Sequence, residues 1–324
     1  MAGVKSTLGP ILLGSLLSVM LSTVVAVQTF FYFRVYPNDL LRLKLIVCTV
    51  WALDAAHAAL MCTATWDYLI VNFGNDAAAD HIPLTIALTV ALTATITFVV
   101  HIFFAHRVLR LSKNNWWLTT PLFALAFGRL GAALVSTVEM GKLKSFRAFT
   151  DDYGYVFTFG LSQSCALDIF ITAAMGYYLH TSRTGFGGRM DRVIDMIMIY
   201  TFNNGALTCV TTVVSLICWL SMPRNLVFLG LHFAISKLYA NSLLATLNSR
   251  RSLRSRSQPS GDTDLPVLLP NRRMTGLFSE VHTSSRSMGD NLTSKTLQVS
   301  VEKTVRCEVH SGDLLEPSSS LPAN

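Results

Sequence analysis

Residues 82–106 read IPLTIALTVALTATITFVVHIFFAH, a run without one Asp, Glu, Lys or Arg. A bilayer core of about 30 Å is crossed by about 20 apolar residues in a helix, because backbone groups in lipid must bond within their own segment. Six further stretches meet that requirement: residues 9–33, 45–70, 116–138, 155–180, 193–220 and 225–248. Turn-like or charged segments separate them, among them Tyr36-Pro37-Asn38-Asp39 and Gly185-Phe186-Gly187-Gly188. The tightest turn, Ser221-Met222-Pro223-Arg224, joins the last two. The expected fold class is therefore all-α, an integral membrane bundle of seven transmembrane helices over residues 1–248, followed by a tail at 249–324.

Composition agrees. Of 324 residues, 51% are hydrophobic and 14% charged, where a soluble domain carries about 25% charged residues. The mean hydropathy is +0.45. The net charge of +7 sits beside the apolar runs, which favours anionic lipid headgroups over nucleic acid, for which no motif is present. Lys and Arg in short loops set the orientation. With the N-terminus outside, the inner loops hold nine (Arg34, Arg42, Lys44, Arg107, Arg110, Lys113, Arg183, Arg189, Arg192) and the outer segments five (Lys5, Lys142, Lys144, Arg147, Arg224). The expectation is N-outside with a cytoplasmic tail. Tyr32, Tyr36, Trp66, Tyr68, Trp116, Trp117, Tyr177, Tyr178 and Trp219 fall at span ends, where interface belts form. The first apolar run is too long for the core of a signal peptide and reads as a retained span. Five of the six cysteines lie in apolar runs and one in the tail, with no disulfide framework or metal spacing.

The tail is rich in Ser, Pro and charge, a composition of disorder. It opens on a basic strip, Arg250, Arg251, Arg254 and Arg256, which reads either as an ordinary stop-transfer flank or as a contact for anionic lipid that phosphorylation of the interleaved Ser residues would reverse. Residues 297–309 alternate apolar and polar side chains with period two, the pattern of a short strand that could add to a partner's sheet edge.

Ionisable residues inside spans carry the functional signal, since each is costly in lipid unless paired or hydrated. Asp54, Arg129, Asp168 and Lys237 stand at about 13, 20, 18 and 16 Å from the inner end at 1.5 Å per residue. Their charges sum to zero, so they read as one midplane ligand or ion network, with Asp54–Lys237 the favoured pair. His57 follows Asp54 on the same face, and Asn241 follows Lys237. The competing reading is interhelical hydrogen bonding that only fixes packing. His101 and His232 read as satisfied core or interface residues. A lysine at this depth could carry a retinal Schiff base. A charge-paired lysine accounts for the same residue, and no cofactor is expected.

The run KLYANSLLATLNSR, Lys237 to Arg250, resembles the closing signature of a fungal seven-helix membrane family, domain of unknown function 6534, known mainly from basidiomycetes. Gly9-Pro10 through Gly14, Gln28, Tyr32, Tyr36-Pro37, Asp39, Lys44, Asp54, the run FFAHRVLRLS at 103–112, and Thr201, Asn204, Gly205 and Thr208 extend the resemblance over residues 9–250. The resemblance implies a membrane location and a receptor-like architecture, but no ligand, activity or functional residue. The rhodopsin-like receptor signatures are missing: His106-Arg107-Val108 ends the third span, and the seventh holds no Asn-Pro-x-x-Tyr. No zinc-protease, nucleotide-loop or paired-aspartate motif points to an enzyme. The reading is a receptor-like or sensory protein with an unknown small ligand, ahead of a small-solute or proton transporter and of a membrane scaffold.

Overall fold

The computed structural model describes residues 2–75, 78, 80–181, 189–222 and 225–256, with backbone alone over 2–7, 189–204 and 251–256. The chain divides into two units, Met1–Thr263 and Asp264–Asn324, and every described residue lies in the first. That unit is built from seven long α-helices: α1 (Ala2–Val35), α2 (Leu41–Trp66), α3 (Leu84–Leu111), α4 (Trp116–Leu143), α5 (Phe146–Thr181), α6 (Arg189–Ser221) and α7 (Val227–Arg256). A single π-helical turn, Asp67–Val71, extends α2. No strand occurs among the described residues; His81 and Ser145 form one isolated antiparallel bridge.

Six segments are long and apolar enough to cross a membrane: Leu8–Val35, Leu41–Val71, Leu84–Leu111, Trp116–Leu143, Phe146–Thr181 and Val227–Arg250. In α6 the portion with described side chains, Gly205–Ser221, is apolar but shorter. Leu13, Met20 and Phe30 on α1, Trp117 and Phe127 on α4, and Phe159 and Phe170 on α5 are exposed. Apolar side chains left outward in this way suit lipid tails rather than water.

Helix ends depart from the hydropathy reading where polar residues belong to the helix. α5 begins at Phe146 rather than Tyr155, taking in Asp151 and Asp152. It starts there because Asp80, from the α2–α3 connection, caps it. Asp80 Oδ2 accepts a hydrogen bond from Ser145 Oγ at 2.6 Å and Oδ1 one from the Arg147 N–H at 3.0 Å, which satisfies a donor the first helical turn leaves unpaired. α7 runs to Arg256, so the basic residues assigned to the tail from 249 are helical backbone. The tail beyond 256, with the alternating segment 297–309, and the glycine-rich turn at 185–188 lie outside the described residues.

Consecutive helices pack as neighbours from α1 to α7, and α7 closes on α1 in the most extensive pairing. α3 also touches α5 and α7, and α2 touches α7. The interior holds two apolar clusters. One gathers Ile11, Met61, Ile86, Phe149, Phe157, Trp219 and Phe233 towards the N-terminal end of α1. The other gathers Val25, Tyr32, Val50, Val100, Ile171, Met175 and Leu243 towards its C-terminal end. Between them lies a buried polar layer to which every helix contributes: Ser18, with half-buried Ser22 beside it, Asp54 and His57, Thr97 and His101, Arg129, Ser164 and Asp168, Thr212, and Ser236 and Lys237.

Candidate functional site

The layer resolves into two centres rather than one network. In the first, Lys237 on α7 meets Asp54 on α2, with Nζ 2.9 Å from Oδ1 and donating to the Asp54 backbone carbonyl at 2.8 Å. The two side chains are 0% and 2% exposed, so water does not screen the pair. Ser22 on α1 donates to Asp54 Oδ2, tying a third helix to the carboxylate. His57, one turn along α2, sits edge-on to Phe233 at 6.2 Å, and both its ring nitrogens are buried without a hydrogen-bond partner among the described residues. Asn241 turns away from the ion pair. Its Nδ2 donates to the carbonyls of Lys237, at 2.9 Å, and of Leu21 on α1, at 3.1 Å.

The second centre surrounds Asp168 on α5. Tyr239 on α7 donates its hydroxyl to Oδ2 at 2.6 Å, His101 on α3 places Nε2 3.3 Å from Oδ1, and Thr212 on α6 reaches Oδ2 at 3.5 Å. A cavity of about 20 Å³, lined in part by His101, Asp168, Thr208, Tyr239 and Ser242, adjoins it. That is room for a single water, which takes about 10–15 Å³. Arg129 on α4 donates from Nε to Ser164 Oγ, one turn from Asp168 on α5, at 2.5 Å. His101 is buried, as a satisfied core residue should be, and its partner is Asp168. Sequence reading missed Tyr239, Ser22, Ser164 and Thr212. A hydroxyl or phenol in an apolar run looks like any core residue until its partner helix is known. The one available signal was Tyr239's place inside the Lys237–Arg250 signature.

The rest of that signature ties α7 to α1 and the α1–α2 turn. Asn248 Nδ2 donates to the Gln28 carbonyl at 2.9 Å, and the Tyr36 hydroxyl donates to the Asn248 carbonyl at 3.0 Å. The Arg250 guanidinium lies over the Tyr36 ring at 4.7 Å and pairs with Asp39 at 2.6 Å, while Tyr32 donates to the same carboxylate at 2.7 Å. Arg250, read from the sequence as part of a lipid-contacting strip, thus pairs within the protein while staying 37% exposed. The side chains of Arg251, Arg254 and Arg256 lie outside the described set.

The Arg250 hydrogen bond holds the Asp39 carboxyl below its usual range. A depressed carboxylate stabilises the fold above its unfolded value, near about pH 3.9, and that contribution is lost as pH falls through the lower folded value. Arg250 is 37% exposed, so solvent limits the pair to about 0.2–1 kcal/mol. Arg250→Gln should therefore melt below wild type at neutral pH, and the gap should close as pH falls through the lowered Asp39 value. A gap unchanged across a melting series from neutral to acid pH would contradict the pairing.

Long apolar helices around a buried, internally paired polar layer define an α-helical membrane protein. A family model described as a family of unknown function, DUF6534, matches residues 164–252. That stretch contains Asp168, Lys237, Tyr239, Asn241, Asn248 and Arg250, and it supports the resemblance carried by the closing signature. No curated protein and no solved structure matches the chain.

Proposed function

We propose that the chain is a receptor-like or sensory protein of a fungal plasma membrane, without catalytic activity. In this reading it crosses the bilayer seven times with its N-terminus outside and its tail in the cytoplasm. The observation that carries the reading is on α7. Lys237 and Tyr239, two residues apart, reach Asp54 on α2 and Asp168 on α5. Successive contacts to opposite sides make α7 a shared element, so a ligand that alters one carboxylate shifts the helix that holds the other. Coupling of this kind needs a two-state element that both sites bias. The tail would carry the output, with residues 297–309 adding a strand to a cytoplasmic partner and Arg251, Arg254 and Arg256 meeting anionic lipid.

The test is a thermal-shift ligand screen on detergent-purified protein, wild type beside Lys237→Met. A compound that binds the native state raises its melting temperature by mass action. The expected result is a compound that stabilises wild type and loses its effect in Lys237→Met. Equal shifts in both would remove the polar layer from the reading. A second reading, a proton or small-solute transporter, is favoured by His57, whose unpartnered ring adjoins the Lys237 centre. Uptake into proteoliposomes that disappears with Asp54→Asn would establish it in place of the first.

A further inference from the structure

Arg129 brings a positive charge into the buried layer beside the Asp168 carboxylate, with most of its donors unused. Its bond to Ser164 is its only hydrogen bond among the described residues, and no described ion pair includes it. A guanidinium stays charged and carries five N–H donors, of which Ser164 uses one. The neighbouring Asp168 carboxylate keeps its charge but accepts hydrogen bonds from Tyr239, His101 and Thr212 and none from Arg129.

Arg129 lines a cavity of about 20 Å³ among α3, α4, α5 and α7. His232 lines the same cavity, and its Nε2 is buried with no hydrogen-bond partner among the described residues. Ser136 is the other polar residue there, and it spends its hydroxyl proton on the Ala132 carbonyl of its own helix at 2.9 Å. Phe157, Gly160 and Leu161 contribute to the apolar remainder of the wall, and no acidic residue lines it. A cavity of this size holds one particle the size of a water. That volume suits a single small ion better than a phosphate.

We propose that this cavity binds a small monovalent anion, a halide, between the Arg129 guanidinium and the Nε2–H tautomer of His232. A compact spherical anion accepts from donors that converge from different helices, and it takes up guanidinium donors that Ser164 leaves unused. The apolar wall strengthens the attraction by excluding water. Asp54, Lys237 and Asp168 do not line this cavity, so the inference stands apart from the proposed function.

Full-length protein in detergent, exchanged into sodium gluconate, is titrated with sodium bromide at constant ionic strength while the melting temperature is followed. Wild type should show a rise that saturates, and Arg129→Gln should show none. His232→Phe keeps the ring and Arg129 but removes one donor. Its half-saturating bromide concentration should increase about tenfold, which corresponds to about 1.4 kcal/mol. A rise that stays linear in wild type, or one that persists in Arg129→Gln, overturns the site. Should Arg129→Gln fail to fold, His232→Phe decides, and an unchanged half-saturation overturns the proposal.

Discussion

Lys237→Met should lower the stability of the detergent-purified protein by about 3–5 kcal/mol, because it leaves Asp54 charged and buried without its partner. Asp54→Asn should cost a similar amount, stranding the ammonium at a position with 0% exposure. The double variant Asp54→Asn/Lys237→Met should recover much of the loss. Removing both charges also removes the desolvation they impose, and exchanging a buried pair for neutral groups of like volume is often close to neutral. The cycle therefore separates an ion pair from two independent packing residues. Coupled sites depart from additivity, whereas independent ones add within about 0.5 kcal/mol. Unfolding titrations on the four proteins give the coupling directly, and additive losses would dismiss the pair as an interacting unit. The Asp54 Oδ2 bond from Ser22 and the backbone bond from Lys237 make full recovery unexpected. Both lose a charged partner in the double variant.

What hydropathy could supply was the approximate place of the long helices, because each apolar run carries its own signal. Six of the seven expected spans are long and apolar enough among the described residues. Depth arithmetic could also bring Asp54 and Lys237 together, since both charges stand out against apolar neighbours. It could not separate Asp168 from that pair. Four charges at similar depth look like one layer until helix neighbours are known, and Asp168 turns to α3, α6 and the far side of α7. The Asp80 cap on α5 was hidden for another reason. Its partners Ser145 and Arg147 lie 65 and 67 residues on, and the polar first turns of α5 carry no apolar signal. Arg250 illustrates the opposite limit. A run of arginines after a span reads as a lipid flank, while the tie to Asp39 depends on α7 ending beside the α1–α2 turn.

The same distance problem conceals the closest helix contact, and it carries the second large expected effect. Gly230→Ala should destabilise the protein by about 1–3 kcal/mol, and Gly230→Leu by more. A Cβ built at Gly230 would lie 2.4 Å from the Pro10 carbonyl oxygen and 3.1 Å from its carbon. One built at Gly14 would lie 2.4 Å from Gly230 Cα. These neighbours are backbone atoms, which no rotamer change can clear, so α1 and α7 must separate. In lipid there is little hydrophobic drive between helices, and small residues are what allow backbones to approach. The separation would also stretch three ties between α1 and α7: Ser18 to the Phe233 carbonyl at 3.0 Å, Asn241 to Leu21 and Asn248 to Gln28. Gly131→Ala is the control. A Cβ there meets nothing within 4 Å, and replacing Gly by Ala within a helix gains about 0.5–1 kcal/mol. Melting curves should therefore move in opposite directions for two substitutions of identical chemistry. If Gly230→Ala melts at or above Gly131→Ala, the α1–α7 approach is looser than the structure places it. The bonds from Ser18, Asn241 and Asn248 would then have to hold the two helices without backbone contact.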